Sequence, residues 1–378
     1  MIKLVLKSLF PPVILKKGFL FVNWVKIHTV DKLFFPPLRT SNADFFILRE
    51  VNPFLPLQIP VGKFPNEIQK GLRLWTNPAW VQDEYLFLYN DGGLIEPEVG
   101  WAFSLDRKLI YPSLGFSNAG YVTKPGILNS FFRRKKIVKR KTVLSLRDTG
   151  EENYFHFFND VLSKIFFMID EGFSLQNYTI VISEKLASKE YFKVFANCDR
   201  LRDLDWYVQR DEWIEFEKAA FCKPLTHTKK YFQNARLLLP TFPGLHGKRR
   251  IFLNRSRRSL RYIENIAELK PTLKKYHFEF VEAETLPFLS QAKLFSECSY
   301  LIGVHGAGLS NMIFRDGSPL SIVEIMHPFE YIPFHYIMLA RQFDFEYTAL
   351  LGEKMSNQGG FFVDRFKFEN TVRQLLHE

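Results

Sequence analysis

The stretch YLIGVHGAGLSNMIF, residues 300–314, decides the fold. Tyr300 to Val304 is an apolar run of strand length. His305-Gly306-Ala307-Gly308 breaks it with small residues, and Leu309, Met312, Ile313 and Phe314 then recur at helical spacing. That order spells a buried strand, a tight turn and the opening of a helix. Glycine at 306 and 308 permits φ > 0 and the close approach of a ligand. The helix start is expected to present unpaired N–H groups and the positive end of a dipole, a setting for phosphate. His305 would stand at the strand's carboxyl end, where open α/β sheets hold their ligands. Such a turn also serves packing alone, so its meaning depends on the rest of the chain.

Working outward, strands and helices alternate on both sides. Downstream, 321–325 reads as a strand, 334–343 as a helix and 347–351 as an edge strand; a closing helix, 369–377, is expected to pack back on the first domain. Upstream, strands are expected at 250–254 and 278–281, with helices at 262–276 and 286–298. Before a proline-marked linker near 240–248, strands at 142–146, 178–183, 205–208, around Phe221 and at 236–239 accompany helices at 153–170 and 189–197. The alternation implies parallel sheets with helices on both faces. The expected architecture is α/β, with two Rossmann-like domains facing each other across a cleft. Residues 1–130 form an irregular or β-rich extension, with a hairpin over 101–111 turning at Asp106-Arg107. Residues 131–245 form the first domain, 246–350 the second, and 351–378 the closing helix.

A length of 378 residues suits two cores, and 47% hydrophobic content with 40 Phe supplies the material to fill them. No segment reaches the roughly 18–20 uninterrupted apolar residues of a membrane span. The N-terminus superficially resembles a targeting signal, but Lys7, Pro11, Pro12, Lys16 and Lys17 interrupt it. It reads as folded or membrane-adjacent structure. The net charge of +11 is densest at Arg133–Lys141. That run reads first as a solvated face and second as a peripheral contact for an anionic membrane surface. No nucleic-acid-binding signature accompanies it. Cys198, Cys222 and Cys298 are unevenly spaced among apolar residues and read as reduced core cysteines of a cytoplasmic protein.

Two further constellations bear on chemistry. Asn153-Tyr154-Phe155-His156 opens a helix, and Asp160 follows His156 by one turn, so the two side chains share a face. A carboxylate beside imidazole raises its basicity and orients it, as a general base for a hydroxyl requires; Asn153 as an N-cap with a satisfied histidine is the structural alternative. Arg255, Arg257, Arg258 and Arg261 lie between a strand and a helix, and arginine's planar fork suits phosphate oxygens. Arg255, nearest the strand end, and then Arg261 are the candidates to neutralise a diphosphate. Glu324 follows an apolar strand, where it either accepts from a ribose diol or faces solvent. Asp203 and Asp205 have the spacing of a metal-binding pair but precede their strand, so no metal site is expected.

In this order the motifs resemble glycosyltransferase family 61. The resemblance rests on Asn153-Tyr154-Phe155-His156 with Asp160, Asn254-Arg255, and Arg261-Tyr262-Ile263-Glu264-Asn265. His305-Gly306-Ala307-Gly308-Leu309-Ser310-Asn311 and Val323-Glu324-Ile325 complete it, so that it covers about residues 140–330. It implies a GT-B fold, a nucleotide-sugar donor, inversion at the anomeric carbon and no obligatory metal or cofactor. On that reading Gly306, Ala307, Gly308 and Leu309 lie near the phosphates, and His305 and Asn311 bond the donor. Arg255, Arg261 and Glu324 complete that site. On the acceptor side His156 or Asp160 serves as base, with Asn153 in support. The acceptor is expected to be a glycan or lipid-linked glycan, in a bacterial-type enzyme of capsule or other surface-polysaccharide synthesis. It would be cytoplasmic, at most peripheral on the inner face of the membrane. Two rivals remain: a non-catalytic glycan-binding or basic-patch module, and a metal-dependent transferase using Asp203 and Asp205.

Overall fold

The computed structural model describes residues 45–377 except 55–56, 60–63, 78, 120–135, 243–247, 259, 316 and 329–332. The N-terminal signal-like segment, Arg133–Lys135 and the Pro243-Gly244 part of the linker lie outside the described residues. Two sheets organise the rest.

The first sheet contains β1 (Phe45–Val51), β2 (Gln82–Tyr89), β3 (Gly93–Ile95), β4 (Ala102–Ser104), β5 (Ile137–Ser145), β6 (Thr179–Ser183), β7 (Asp205–Gln209) and β8 (Trp213–Lys223). Its main order is β1-β2-β8-β5-β6-β7. The strands β8, β5, β6 and β7 are parallel, whereas β1 and β2 join antiparallel at the β8 side. Within residues 45–104 the strands of the early chain extend the first sheet, with a helix, Asn66–Trp75, between β1 and β2. The short β4 turns back as anticipated: Phe103 bridges Leu109, and Arg107 takes φ 65° in the turn. The basic run enters β5, where exposed and half-buried residues alternate; Lys139 pairs with Glu215 at 3.0 Å and Arg140 lies 4.2 Å over the Tyr207 ring.

The second sheet contains β9 (Arg249–Leu253), β10 (Glu279–Val281), β11 (Cys298–Val304), β12 (Ser321–Met326) and β13 (Glu346–Leu351), all parallel, in the order β10-β9-β11-β12-β13. The near-continuous apolar runs of β11 and β12 follow from helices covering both faces. Leu301 and Ile322 point to one face, whereas Ile302, Val304, Val323 and Ile325 point to the other, as the period of two requires. The helices Ile266–Lys275 and Arg365–Leu375 cover the second of these faces.

The other face carries Phe288–Ser296, the 3₁₀ helix Ala307–Arg315 and His335–Gln342, which share one core with the helical run 154–170 of the first half. Phenylalanines join them: Phe158 lies 6.2 Å from Phe314 and Phe195 5.8 Å from Phe288, centroid to centroid. Burying such rings is worth about 1.5–3 kcal/mol each.

Several expectations need correction. Residues 236–239 are not a strand: the helix Lys229–Leu237 runs into them, burying Tyr231, Phe232 and Ala235. The closing helix Arg365–Leu375 packs on the second sheet through Phe368 and Val372, not back on the first. The helix expected from 262 begins at Ile266, because Tyr262 and Ile263 are tied instead to Phe361. Cys198, Cys222 and Cys298 are free thiols, the last two buried.

Candidate functional site

Asn153 caps the first turn of the run 154–170, its Oδ1 accepting from the Phe155 N–H at 3.0 Å. One turn on, His156 Nδ1 lies 2.6 Å from Asp160 Oδ2. The segment Phe157–Leu162 is wound as a π-helix, a form that recurs at functional sites. Asn159, buried beside Asp160, donates its Nδ2 to Asp160 Oδ1 at 2.8 Å. Both carboxylate oxygens are thus engaged. The oxygen facing His156 accepts, so Nδ1 carries the hydrogen and Nε2 is the nitrogen left with a lone pair. Burial works against a charged His156 ring, but the Asp160 hydrogen bond and charge outweigh it, with Asp148 and Glu152 adding to them. The imidazole pKa is raised above 6.5.

Asp148 itself is held by buried Lys164 at 3.0 Å, and beside it Arg147 pairs with Glu151 at 2.9 Å. Arg147, Asp148 and Glu151 border a polar cavity of about 150 Å³ at the carboxyl ends of β5, β6 and β7. Gly150 belongs to its lining and lies against the His156 ring.

In the second sheet the strand order reverses between β9 and β11, and ligands of open α/β sheets bind beyond the carboxyl ends at such a point. Arg255 follows β9 there and His305-Gly306 follows β11. Arg255 Nη1 donates to the His305 carbonyl at 3.1 Å. Glycine is required at 306 for this approach, since a Cβ would stand 1.9 Å from that nitrogen. Arg255 Nε is buried without an acceptor. Burial, and then the nearby charge of Arg261, lower the Arg255 pKa. Among the described residues neither arginine forms an ion pair. Two guanidinium groups that repel each other at a strand end make a place for an anion.

The two halves meet around one wall of rings. Phe155, next to His156, lies 4.9 Å from His335 and 5.7 Å from Tyr336. Tyr336 in turn lies 5.3 Å from His305. The charges of His156, Asp160 and His305 all act on His335. His327, whose pKa is pushed down to about 4 by burial and then by Arg261, His305 and Arg255, completes the second side. A chain of ring contacts, from His156 through Phe155 and Tyr336 to His305, thus links the two groups. His227, His327, His335 and Tyr336 were not legible as site residues, because each lies far along the chain from its partners. The only hint was that His335 opens an expected helix.

Other predicted site residues have different duties. Glu324 faces neither ribose nor solvent: it is fully buried, and its carboxylate oxygens are bonded to His305 Nδ1 and to the Tyr347 hydroxyl. Asn311 is also fully buried; its Oδ1 accepts from Tyr154 OH at 2.7 Å and its Nδ2 donates to Gln291, so it bridges the halves instead of bonding a donor. Leu309 is core, and its N–H is already bonded to the Gly306 carbonyl at 3.0 Å. Gly306 and Gly308 do not use positive φ. Their value is close approach, to Arg255 and Leu253 respectively. Ala307 and Gly308 open a 3₁₀ helix, not an α-helix, and remain half-buried. Asp203 and Asp205 lie at the amino end of β7, away from the strand ends that carry the site.

The family model described as Glycosyltransferase 61 matches residues 154–328. Comparison with curated proteins gave no match. The matched segment begins at Tyr154, the residue that bridges to Asn311, and ends just beyond Glu324 and His327. That segment carries both histidine–carboxylate pairs, and over it the chain is similar to glycosyltransferase family 61.

Proposed function

We propose that the protein is an inverting transferase that moves a sugar from a nucleotide-sugar donor to a hydroxyl of a glycan or lipid-linked glycan. The observation that carries this reading is the unneutralised pair Arg255 and Arg261, set across a shared ring wall from the His156–Asp160 pair. The two sheets then act as the halves of a GT-B enzyme, 131–245 serving the acceptor and 246–350 the donor. Arg255 and Arg261 bond the diphosphate and stabilise the charge that grows on it as the bond to the anomeric carbon breaks. His156 Nε2 removes the proton of the acceptor hydroxyl while its oxygen forms the new bond from the opposite face. Asp160 holds the ring in the productive tautomer. Between the two candidates for the base, the engagement of both Asp160 oxygens favours His156.

The acceptor approaches through the polar cavity beside Gly150. With arginines neutralising the diphosphate, the reaction needs no metal ion. A role in surface-polysaccharide synthesis at the inner face of the membrane fits the basic surface of β5, and the lysines there serve as a peripheral contact with anionic lipid. The test is direct: purified protein is incubated with a panel of nucleotide sugars and glycan acceptors, with and without excess chelator. Transfer that survives chelation is the expected result. Glycan binding with no nucleotide recognised would favour the non-catalytic module, and loss of transfer on chelation would restore the metal-dependent alternative.

A further inference from the structure

The hydrogen bonds leading to His335 determine which of its nitrogens carries hydrogen. Asn159 Oδ1 accepts from the His227 backbone N–H at 2.7 Å, so its Nδ2 is the donor, reaching Thr226 Oγ1 at 2.7 Å. With its oxygen accepting from Asn159, the Thr226 hydroxyl turns its own hydrogen to His227 Nδ1, also at 2.7 Å. His227 therefore keeps its hydrogen on Nε2, which lies 3.3 Å from His335 Nδ1. A neutral His335 accepts there and holds its hydrogen on Nε2. Both rings are neutral near pH 7. Burial, then the charges of His335 and His156, push His227 well below its ordinary value; burial and then His156 push His335 down to about 3. His227 occupies the left-handed region at φ 58°, and its N–H is pinned by Asn159.

The place of His335 gives that hydrogen a use. Its ring lies nearly coplanar with that of His227, at 19° with centroids 5.4 Å apart, and packs against Phe155. Phe155 in turn lies 5.5 Å from His156, and Tyr336, the next residue after His335, lies 5.3 Å from His305. On the reading above, the piece of substrate between base and diphosphate is the sugar in transit. We propose that His335, held as a neutral Nε2–H donor by the Asn159–Thr226–His227 relay, bonds one oxygen of the transferred sugar and so selects which sugar the enzyme accepts. Sugar oxygens are uncharged acceptors, and a neutral donor reads them without competing for the diphosphate. A site that bonds an oxygen discriminates strongly against the analogue lacking it, because the donor is then left unpaired.

This inference rests on the transferase reading, and the experiment separates the two. The full chain is assayed with the nucleotide sugar it turns over best, with the set of monodeoxy analogues of that sugar, and for binding of the nucleoside diphosphate alone. In the wild type one analogue should fall below the parent in kcat/KM by about 10–100-fold, the worth of one donor left unpaired. His335→Phe should abolish that single preference while leaving nucleoside diphosphate affinity unchanged. His335→Gln, whose amide can donate from a similar position, should restore part of it. Histidine ¹⁵N spectra should show His335 protonated on Nε2 and neutral from pH 5 to 8, and Thr226→Val should disturb that tautomer. Equal losses for every analogue in His335→Phe, or a His335 hydrogen on Nδ1, would overturn the inference and leave the transferase reading standing. A wild type that transfers from no nucleotide sugar would overturn both.

Discussion

Two histidine–carboxylate pairs stand on either side of the ring wall, and their differences are more informative than their likeness. His156 and Asp160 sit one turn apart on a single helical run, with side chains 25% and 13% exposed. His305 and Glu324 come from the ends of neighbouring parallel strands, with side chains 9% and 1% exposed. In the first pair the carboxylate is braced from behind by Asn159, and the imidazole edge reaches solvent. In the second, Tyr347 takes the remaining carboxylate oxygen. The same pairing therefore occurs in two settings: an accessible ring, which on the proposed reading exchanges a proton with substrate, and an enclosed one beside the His305-Gly306 turn that Arg255 bonds.

The comparison can be broken most sharply at His156. Its replacement by Ala should lower kcat by roughly 10²–10⁴-fold while nucleoside diphosphate affinity, measured by calorimetry, is kept. Glu324→Ala tests the enclosed pair. Removing one partner of a buried, bonded pair should cost about 3–5 kcal/mol of unfolding free energy, read from denaturant titration. Asp160→Asn should cost no more than about 1 kcal/mol by the same measurement. Equal destabilisation at the two sites would erase the distinction.

Arg255→Ala should weaken nucleoside diphosphate binding about 10–100-fold, the worth of charge-assisted hydrogen bonds. The pH dependence sharpens the picture further. Because the folded His156 pKa is raised above 6.5, its charged pairing with Asp160 stabilises the fold fully below that value and is lost as pH rises through the folded pKa. Activity runs the other way, since the base must be unprotonated. The acid limb of kcat/KM should lie above 6.5 and move to lower pH in Asp160→Asn, where burial is no longer opposed. The smallest effect is expected at Tyr154→Phe, which removes the bond to Asn311 and should cost about 1 kcal/mol in thermal stability.

Legibility followed distance along the chain. The His156–Asp160 pair and the Asn153 cap were readable because a helical turn brings i and i+4 together whatever surrounds them. The alternation of β9 to β13 with helices was readable for a similar reason, each element announcing itself through its own period. Glu324 was misassigned because nothing local tells that Tyr347, on the next strand, will enclose it. Asn311 sits in the most suggestive motif of the chain, and yet its partner is Tyr154, 157 residues away. The 236–239 error arose from a short apolar run that fits a strand and a helix end equally well.

The phenylalanine seam between the helical layers has a mechanical corollary. Phe157, Phe158, Phe195, Phe288 and Phe314 belong to one continuous core, so parting the sheets to admit substrate would bare several rings to water at once. Entry and exit should therefore fall to the loops at the strand ends. The same seam couples the fate of the two halves: heating should melt them in a single calorimetric step, with no stage at which one survives alone.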